Sequence, residues 1–545
     1  MMRSRERLVH LAVLLPLALA ACAGNNSTGG QDGGEEAVEA TGDLPAEGTG
    51  ADVGETAGTG DGDGTATDDG SQGGDEAGVE ALGQEQSGPD VVGPPEDPPL
   101  MVPVLLGRPT DDAVALNLVP EDDLEILVEH GDAGGAPGLK SEPIPCEAKT
   151  PCVVALSGLS PNQQVAYRLG WRKAGTGPWH FGPERTFHTA RPAGAPFVFT
   201  VQADSHLDAL SNLELYHVTL ANVLLDSPDF HLDLGDTFMC EKYAKPFDGE
   251  VMEAPDAATV DARYLFERGH FGIISETVPL FLVNGNHEAE LGWLVTGNAD
   301  SLPFWATLAR QRFYLNPVPD GFFSGDTADE PYVGQRGSWY AFEWGDALIV
   351  VLDPYWYTKT KSKKDGWVWT LGKQQYDWLA ATLVGSKAPF RFVFVHNLVG
   401  GLQEQGRGGV EAAPYFEWGG KNLDGIDEFS AKRPGWGKPI HELLVDHQVT
   451  AVLHGHDHLY ARQELDGIVY LEVPQPSNTG FDGGQKLADK QGYTSGKILS
   501  SSGHIRFSMS GKQAKVEYVR AYRPEDETGE RQNRQIDDVW TVEHP

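Results

Sequence analysis

The segment Leu453-His454-Gly455-His456-Asp457-His458, a short apolar run that ends in three histidines, decides how the rest of the chain is read. Neutral imidazoles are good donors to first-row divalent metals. His456 and His458, two apart at the end of a predicted strand, can therefore face two adjacent ions from one turn. A histidine-rich turn alone is more often a solvated loop. Four other stretches give this one its weight, each an apolar run followed by metal-ligand residues. They are 197–203 with Asp204-Ser205-His206, 230–234 with Gly235-Asp236, 278–283 with Asn284-Gly285-Asn286-His287-Glu288, and 390–395 with His396.

Around these motifs, strands alternate with helical patterns. Helices are predicted over 210–225, 257–276, 303–315, 373–383 and 439–447, and further strands over 337–343 and 348–352. Strand, crossover and strand repeated in this way give a layered α/β domain, whose ligands bind at the carboxyl ends of the strands. Runs 468–473, 504–509 and 515–520 are expected to close a second sheet. The Gly-rich stretch 400–437, with its Trp, Arg and Glu, is expected to wall the site.

Before Arg191-Pro192 the pattern is different. Short runs at 101–106, 113–118, 124–129, 152–156, 165–172 and 184–189, broken by Pro, Gly and Asp turns, predict an all-β sandwich over 100–191. The segment Leu156-Ser157-Gly158-Leu159-Ser160-Pro161-Asn162, then Val165-Ala166-Tyr167-Arg168, resembles a corner of fibronectin type III-like domains, and Phe187-His188-Thr189-Ala190 resembles their closing strand. Such a module faces substrate, docks or spaces. Cys146 and Cys152 bracket a short turn-like stretch and are expected to form a disulfide in an oxidising compartment. Cys240 reads as a lone buried thiol.

Residues 1–22 read as a bacterial secretory leader: Arg3, Arg5 and Arg7, an apolar run too short to span a bilayer stably, then Leu19-Ala20-Ala21-Cys22. The last four resemble the lipobox of bacterial lipoproteins. That implies a diacylglyceryl group on Cys22 and a place in the cell envelope, at the outer membrane or cell surface, without a transmembrane helix. Residues 23–99 hold 19 Asp and Glu and no Lys or Arg, with scarcely an aromatic, and are expected to be a disordered tether. They carry about half of the net charge of −39. That charge argues against nucleic-acid binding through a basic patch and against attraction to anionic lipid, though with about half of it in this segment it says less about the folded part. The catalytic domain is expected over 192–521, with 522–545 as a C-terminal tail.

The five motifs, in the order Asp-x-His, Gly-Asp, Gly-Asn-His-Glu, His and Gly-His-x-His, resemble the calcineurin-like metallophosphoesterase superfamily. The sandwich in front points to its purple acid phosphatase-like branch. The resemblance covers about 100–521 and implies two mixed β-sheets flanked by helices, with two metal ions (Fe, Zn or Mn). Asp236 would bridge them; Asp204, His206 and His458 would complete one site, and Asn286, His396 and His456 the other. A neutral amide at Asn286 limits the negative charge that would repel a phosphate. His287 is implied as partner of the leaving oxygen, oriented by Glu288, and Asn397 and Arg407 are candidate phosphate contacts.

The implied reaction is hydrolysis of a small phosphomonoester by metal-bound hydroxide. The alternatives are a phosphodiesterase or nucleotidase with the same metals, and a non-catalytic binding lipoprotein. One departure stands out: where purple acid phosphatases carry a tyrosine ligand, three residues past the bridging aspartate, this chain has Met239. Tyr355, Trp356 and Trp367 are candidate pocket walls. His180, His188, His217, His231, His270 and His504 are expected to be core or surface groups, and His454 to back a ligand.

Overall fold

Residues 95–135, 138–208, 211–240, 243–244, 251–252, 256–402 and 406–544 are described by a computed structural model. The leader, Cys22 and most of the acidic segment lie outside them. Among the described residues no helix is long and apolar enough to cross a membrane.

Two sheets build the N-terminal sandwich. One orders Leu100–Gly107, Ala113–Pro120 and Cys152–Ser157; the other is centred on Leu124–Asp132 and Gln164–Lys173. Cys152–Ser157 alternates buried and exposed residues, as a strand with one wet face must. Ala113–Pro120 is buried along nearly its whole length, because both of its faces are covered. Val114, Leu116 and Leu118 fill the sandwich core, while Ala115 and Val119 pack into the helical layer of the next domain. The junction is also polar: the Tyr167 hydroxyl donates to the Glu276 carbonyl at 2.6 Å and Ser275 Oγ to the Val104 carbonyl at 2.7 Å. Fully buried Arg268 donates to both the side chain and the carbonyl of Asn117. The sandwich is docked on its neighbour rather than spaced from it. Cys146 and Cys152 are disulfide-bonded, with Cα atoms 5.7 Å apart.

The following domain is a four-layer stack. A six-stranded sheet holds Phe197–Gln202, Phe230–Asp233 and Leu280–Leu282 in parallel; an eight-stranded sheet holds Ala347–Val351, Phe390–Phe394, Ala451–His454 and Ile468–Glu472 in parallel. The inner faces meet in an aromatic core: Phe199 stacks on Phe507 and Phe230 with centroids at 4.3 and 5.1 Å and meets Phe392 edge-on at 5.8 Å. Helices Leu213–Leu225, Ala257–Phe271 and Leu302–Phe313 cover one outer face, and Lys373–Gly385 and Ile440–Asp446 the other.

Local chemistry trims the expected elements. Asn212 and Asp256 cap the first two helices by accepting from Leu215 and Thr259 N–H. The second helix ends at Phe271 instead of 276, and Gly272, its C-cap, lies against Pro103 of the sandwich with no room for a side chain. The three late strands do not share a sheet. Ile468–Glu472 runs parallel to Ala451–His454, whereas Gly503–Ser510 and Gln513–Arg520 extend the six-stranded sheet from Phe197–Gln202.

The expected 522–545 tail is corrected too, since Ile536–Glu543 is an edge strand on Gln513–Arg520. Its acidic residues, which make it look like a solvated tail, are paired: Asp538 accepts from Tyr460, Arg462 and Lys497, and Asp537 from Arg520.

His231 is fully buried, with Nδ1 2.8 Å from Thr200 Oγ1; burial, then the charge of His504, push it down to about 3. Its folded pKa lies below the unfolded value of about 6.5, so its contribution to stability is complete above that pH and is lost as pH falls toward 3. In urea unfolding, His231→Gln is expected to lower the slope of stability against pH between pH 6 and 4 by up to about 1.4 kcal/mol per pH unit. An unchanged slope would show that His231 is protonated in the fold.

Candidate metal centre

All five motifs leave their strands at the same edge of the stack, three from the six-stranded sheet and two from the eight-stranded one. Their residues sit in strained turns. Asp204, His206, Asp236, His456 and His458 all have left-handed φ, between 53° and 81°. Such a conformation costs an ordinary side chain on the order of 1 kcal/mol and persists only where the surroundings over-determine it. Here the turns brace one another: Asp204 N–H donates to the Gly235 carbonyl, His206 N–H to Asp236 and Gly455 N–H to His396, at 2.9–3.0 Å.

Two glycines let the loops close. A Cβ on Gly285 would lie 2.4 Å from both N and Oδ1 of Asp236, and one on Gly455 would lie 2.5 Å from Asp204 Oδ2.

The side chains converge into two groups that share one member. Asp204, His206, Asp236 and His458 form the first, and Asp236, His396 and His456 the second; within each, one donor atom per residue lies within 4.8 Å of the rest. Around Asp236 Oδ2, His396 Nε2 lies at 3.1 Å, His206 Nε2 and His456 Nδ1 at 3.8 Å and His287 Nε2 at 3.9 Å. Around Asp204 Oδ1, the Nε2 atoms of His458 and His206 lie at 3.5 and 3.7 Å. The donor set fits a cation pair. Among the described residues, Asp204 Oδ1, His206 Nε2 and Asn286 Oδ1 are buried without a hydrogen-bond partner, a costly arrangement unless a ligand completes it. His396 Nδ1 is 2.8 Å from the Leu234 carbonyl, which can only accept, so Nδ1 keeps its proton and Nε2 is the nitrogen that would offer a lone pair once a cation displaced its proton.

The electrostatics agree. Burial opposes charge on Asp236, yet His396 and His287 hold it well below the usual carboxylate range; burial likewise opposes charge on His396, yet Asp236 lifts it to about 10. Two dry carboxylates demand positive charge, and in the protein alone an imidazolium provides it.

Glu288 departs from its expected role as a partner for His287. Its Oε2 accepts from the N–H groups of Asp236 and Gly285, and its Oε1 from those of Thr237 and Phe238. It positions the Asp236 loop. Burial, then the Asp236 charge, raise it to about 7 against those donors. His287 stands at the rim, 17% exposed, with its own N–H on Asp236 Oδ1 at 2.8 Å.

Asn397 is a further correction, being buried with Oδ1 taken by the Tyr355 hydroxyl and Nδ2 donating to the Leu398 carbonyl. It is unavailable to a ligand. Arg407 lies on the histidine turn, donating to the His456 carbonyl. Tyr355 and Trp356 are buried, and Trp367 lines a separate cavity of about 450 Å³ with Tyr357, Lys359 and Trp436. Met239, at the tyrosine-ligand position, is buried.

Sequence reasoning missed the backing of the histidine turn. Glu472 accepts from Asp457 N–H and sits 2.6 Å from His454 Nδ1, while Asp457 accepts from the Tyr493 hydroxyl at 2.8 Å. An acid inside the apolar strand Ile468–Glu472 was the available signal. Of the other histidines, His231 and His504 are buried in the domain, His270 is half-buried, and His180 stacks on Trp171.

No protein-family model and no curated protein matches the sequence. Solved structures do match. PhoD superimposes with a TM-score of 0.57 at 14% identity, over 83% of this chain and 92% of that one. The purple acid phosphatase PPD1 from yellow lupin (Lupinus luteus) seeds superimposes with a TM-score of 0.52 at 16% identity, over 81% and 74%. The chain shares its fold with both of these structures, one of them a purple acid phosphatase, in keeping with the fold expected from the motifs.

Glu288→Ala would leave four backbone donors without an acceptor. At about 1–3 kcal/mol for each buried unsatisfied group, a loss of at least ~3 kcal/mol is expected in urea unfolding. Metal retained after dialysis, read by elemental analysis, should weaken about 10–100-fold as the Asp236 loop loosens. Wild-type stability and metal content in this variant would show that the loop is held by other means.

Proposed function

We propose that the chain is a dinuclear-metal phosphoester hydrolase that removes phosphate from small phosphomonoesters at the bacterial envelope. The observation that carries this reading is the sharing of Asp236 by two donor groups: a carboxylate has two oxygens and can serve two cations at once. Asp204, His206 and His458 would hold one and Asn286, His396 and His456 the other, with Fe, Zn or Mn as the candidates. When bound, such a pair lowers the pKa of water and neutralises charge on a phosphoryl group.

The chain's own residues divide the remaining work. Asp204 and Asp236 keep the centre anionic enough to retain cations, and the amide of Asn286 adds a donor without adding charge. His287, partly exposed at the rim and next to Asp236, would give a proton to a departing alkoxide. Glu288, through the backbone of Asp236 and Thr237, keeps the shared carboxylate in position. The phosphatase in the name of the lupin protein agrees with this reading. Cys22 would carry the lipid, and the acidic segment behind it would give reach.

Purified chain, stripped of metal and reloaded with Fe, Zn or Mn, is expected to hydrolyse nitrophenyl phosphate in preference to bis-nitrophenyl phosphate. Asp236→Ala and His456→Ala should each lower that rate at least about 10³-fold, the scale on which essential electrostatic groups act. Preference for the diester would make it a phosphodiesterase, and full metal loading without either activity would point to a binding protein. Separately, Cys22→Ser is expected to move the protein from the membrane fraction to the soluble one; continued sedimentation with membranes would remove the lipid anchor.

A further inference from the structure

We propose that Arg407 is the phosphate-recognising residue of this centre and selects dianionic monoesters over monoanionic diesters, with Asp457 as its positioning residue; the proposal rests on the hydrolase reading. Arg407 is planted on the ligand turn itself. Nη1 donates to the His456 carbonyl and, at 3.1 Å, to Asp457 Oδ1. Guanidinium carries five N–H donors in one plane, and only one corner of this one is used. Among the described residues Nε and Nη2 have no hydrogen-bond partner, and the side chain is 24% exposed. Its free donors therefore meet solvent beside the histidines.

That pose is built rather than incidental. Asp457 is 2% exposed and spends both oxygens, Oδ1 on Arg407 and Oδ2 on the Tyr493 hydroxyl at 2.8 Å and Gly408 N–H at 2.9 Å. Its own N–H is held by Glu472 Oε1 at 2.9 Å. The Arg407 carbonyl accepts from Leu402 N–H, so the loop is tied on both sides of the arginine. A carboxylate facing away from the metal-binding groups thus orients a cation beside them.

Charge explains the selectivity. Among the candidate ligands only Asp204 and Asp236 are anionic, so a divalent pair would leave the centre at about +2, which one monoester dianion neutralises. Arg407 adds a further positive charge and a planar fork suited to non-bridging phosphoryl oxygens. A diester has one non-bridging oxygen fewer to offer as an anion and gains less from it. In a chain of net charge −39, such a local cation also counters the repulsion of an approaching anion.

The test uses the full chain loaded with metal, and the variants Arg407→Gln, Arg407→Lys and Asp457→Asn. Metal content and circular dichroism should match wild type. For Arg407→Gln, inorganic phosphate should bind about 10–100-fold more weakly by calorimetry, and KM for nitrophenyl phosphate should rise by a similar factor at nearly constant kcat. Its kcat/KM for bis-nitrophenyl phosphate should stay within about threefold, Arg407→Lys should recover part of the loss, and Asp457→Asn should move KM in the same direction by less. Equal losses on both esters, or loss of metal, would reduce Arg407 to a brace for the turn and overturn the proposal. If the loaded wild type hydrolyses neither ester, the hydrolase reading fails by itself. The phosphate titration then still decides, because equal affinity in wild type and Arg407→Gln overturns the role of Arg407.

Discussion

Asp204 and Asp236 are carboxylates with almost no exposure at the junction of two sheets, and neither has a Lys or Arg partner among the described residues. Burying such groups costs several kcal/mol each unless opposite charge or strong donors compensate. Imidazoles surround them instead, and imidazoles can give way to cations. Much of the domain is arranged to make this unfavourable placement hold. The two carboxylates come from adjacent parallel strands, Phe197–Gln202 and Phe230–Asp233, whose shared register puts them side by side. His206 and His287 come from the same sheet as the carboxylates, but His396, His456 and His458 come from the other, so the centre exists only while the sheets stay packed.

What keeps the sheets packed is far from the site. Rings of Phe199, Phe230, Phe392 and Phe507 interlock between the layers, each worth about 1.5–3 kcal/mol of burial, and hold the sheets together against the strain of five left-handed residues at the centre. Close approach then becomes possible at the edge, where glycine leaves room for Asp236 against Gly285 and for Asp204 against Gly455. Glu288 closes the arrangement by serving as acceptor for a backbone loop that has no other structure to satisfy it.

The site was legible in the sequence to the extent that it follows strand ends. An apolar run followed by Asp, Asn or His is a local signal, and five such signals converge because parallel strands share one direction. The sheet assignment of the late strands was not legible. The runs at 468–473 and 504–509 both read as strands, and only the two-layer packing sends them to different sheets. Ile536–Glu543 was hidden because Asp537 and Asp538 look solvated until Arg462, Lys497 and Arg520 are seen beside them. Asn397 failed as a candidate contact for a related reason, since its neighbour His396 points into the cluster while its own amide is consumed by Tyr355 and a carbonyl.

The residues behind the ligands were the least legible, and the reason is general. A metal ligand must be of a particular type, but the group that orients it need only supply an acceptor or a donor at the right distance. Asp457 sits between His456 and His458 in the chain, with its carboxylate on Arg407, Gly408 and Tyr493; Glu472 lies on the neighbouring strand of the sheet, and Tyr493 in a loop beyond that. No spacing rule links these three. What links them is that the backbone of the turn between His456 and His458 carries N–H and carbonyl groups outside any ladder, and a buried turn must find partners for them. Glu472 takes one N–H and Arg407 one carbonyl, and Asp457 joins the two partners to each other. The need to satisfy the backbone of a strained turn therefore brings a guanidinium up against the turn that carries two of the cluster's histidines.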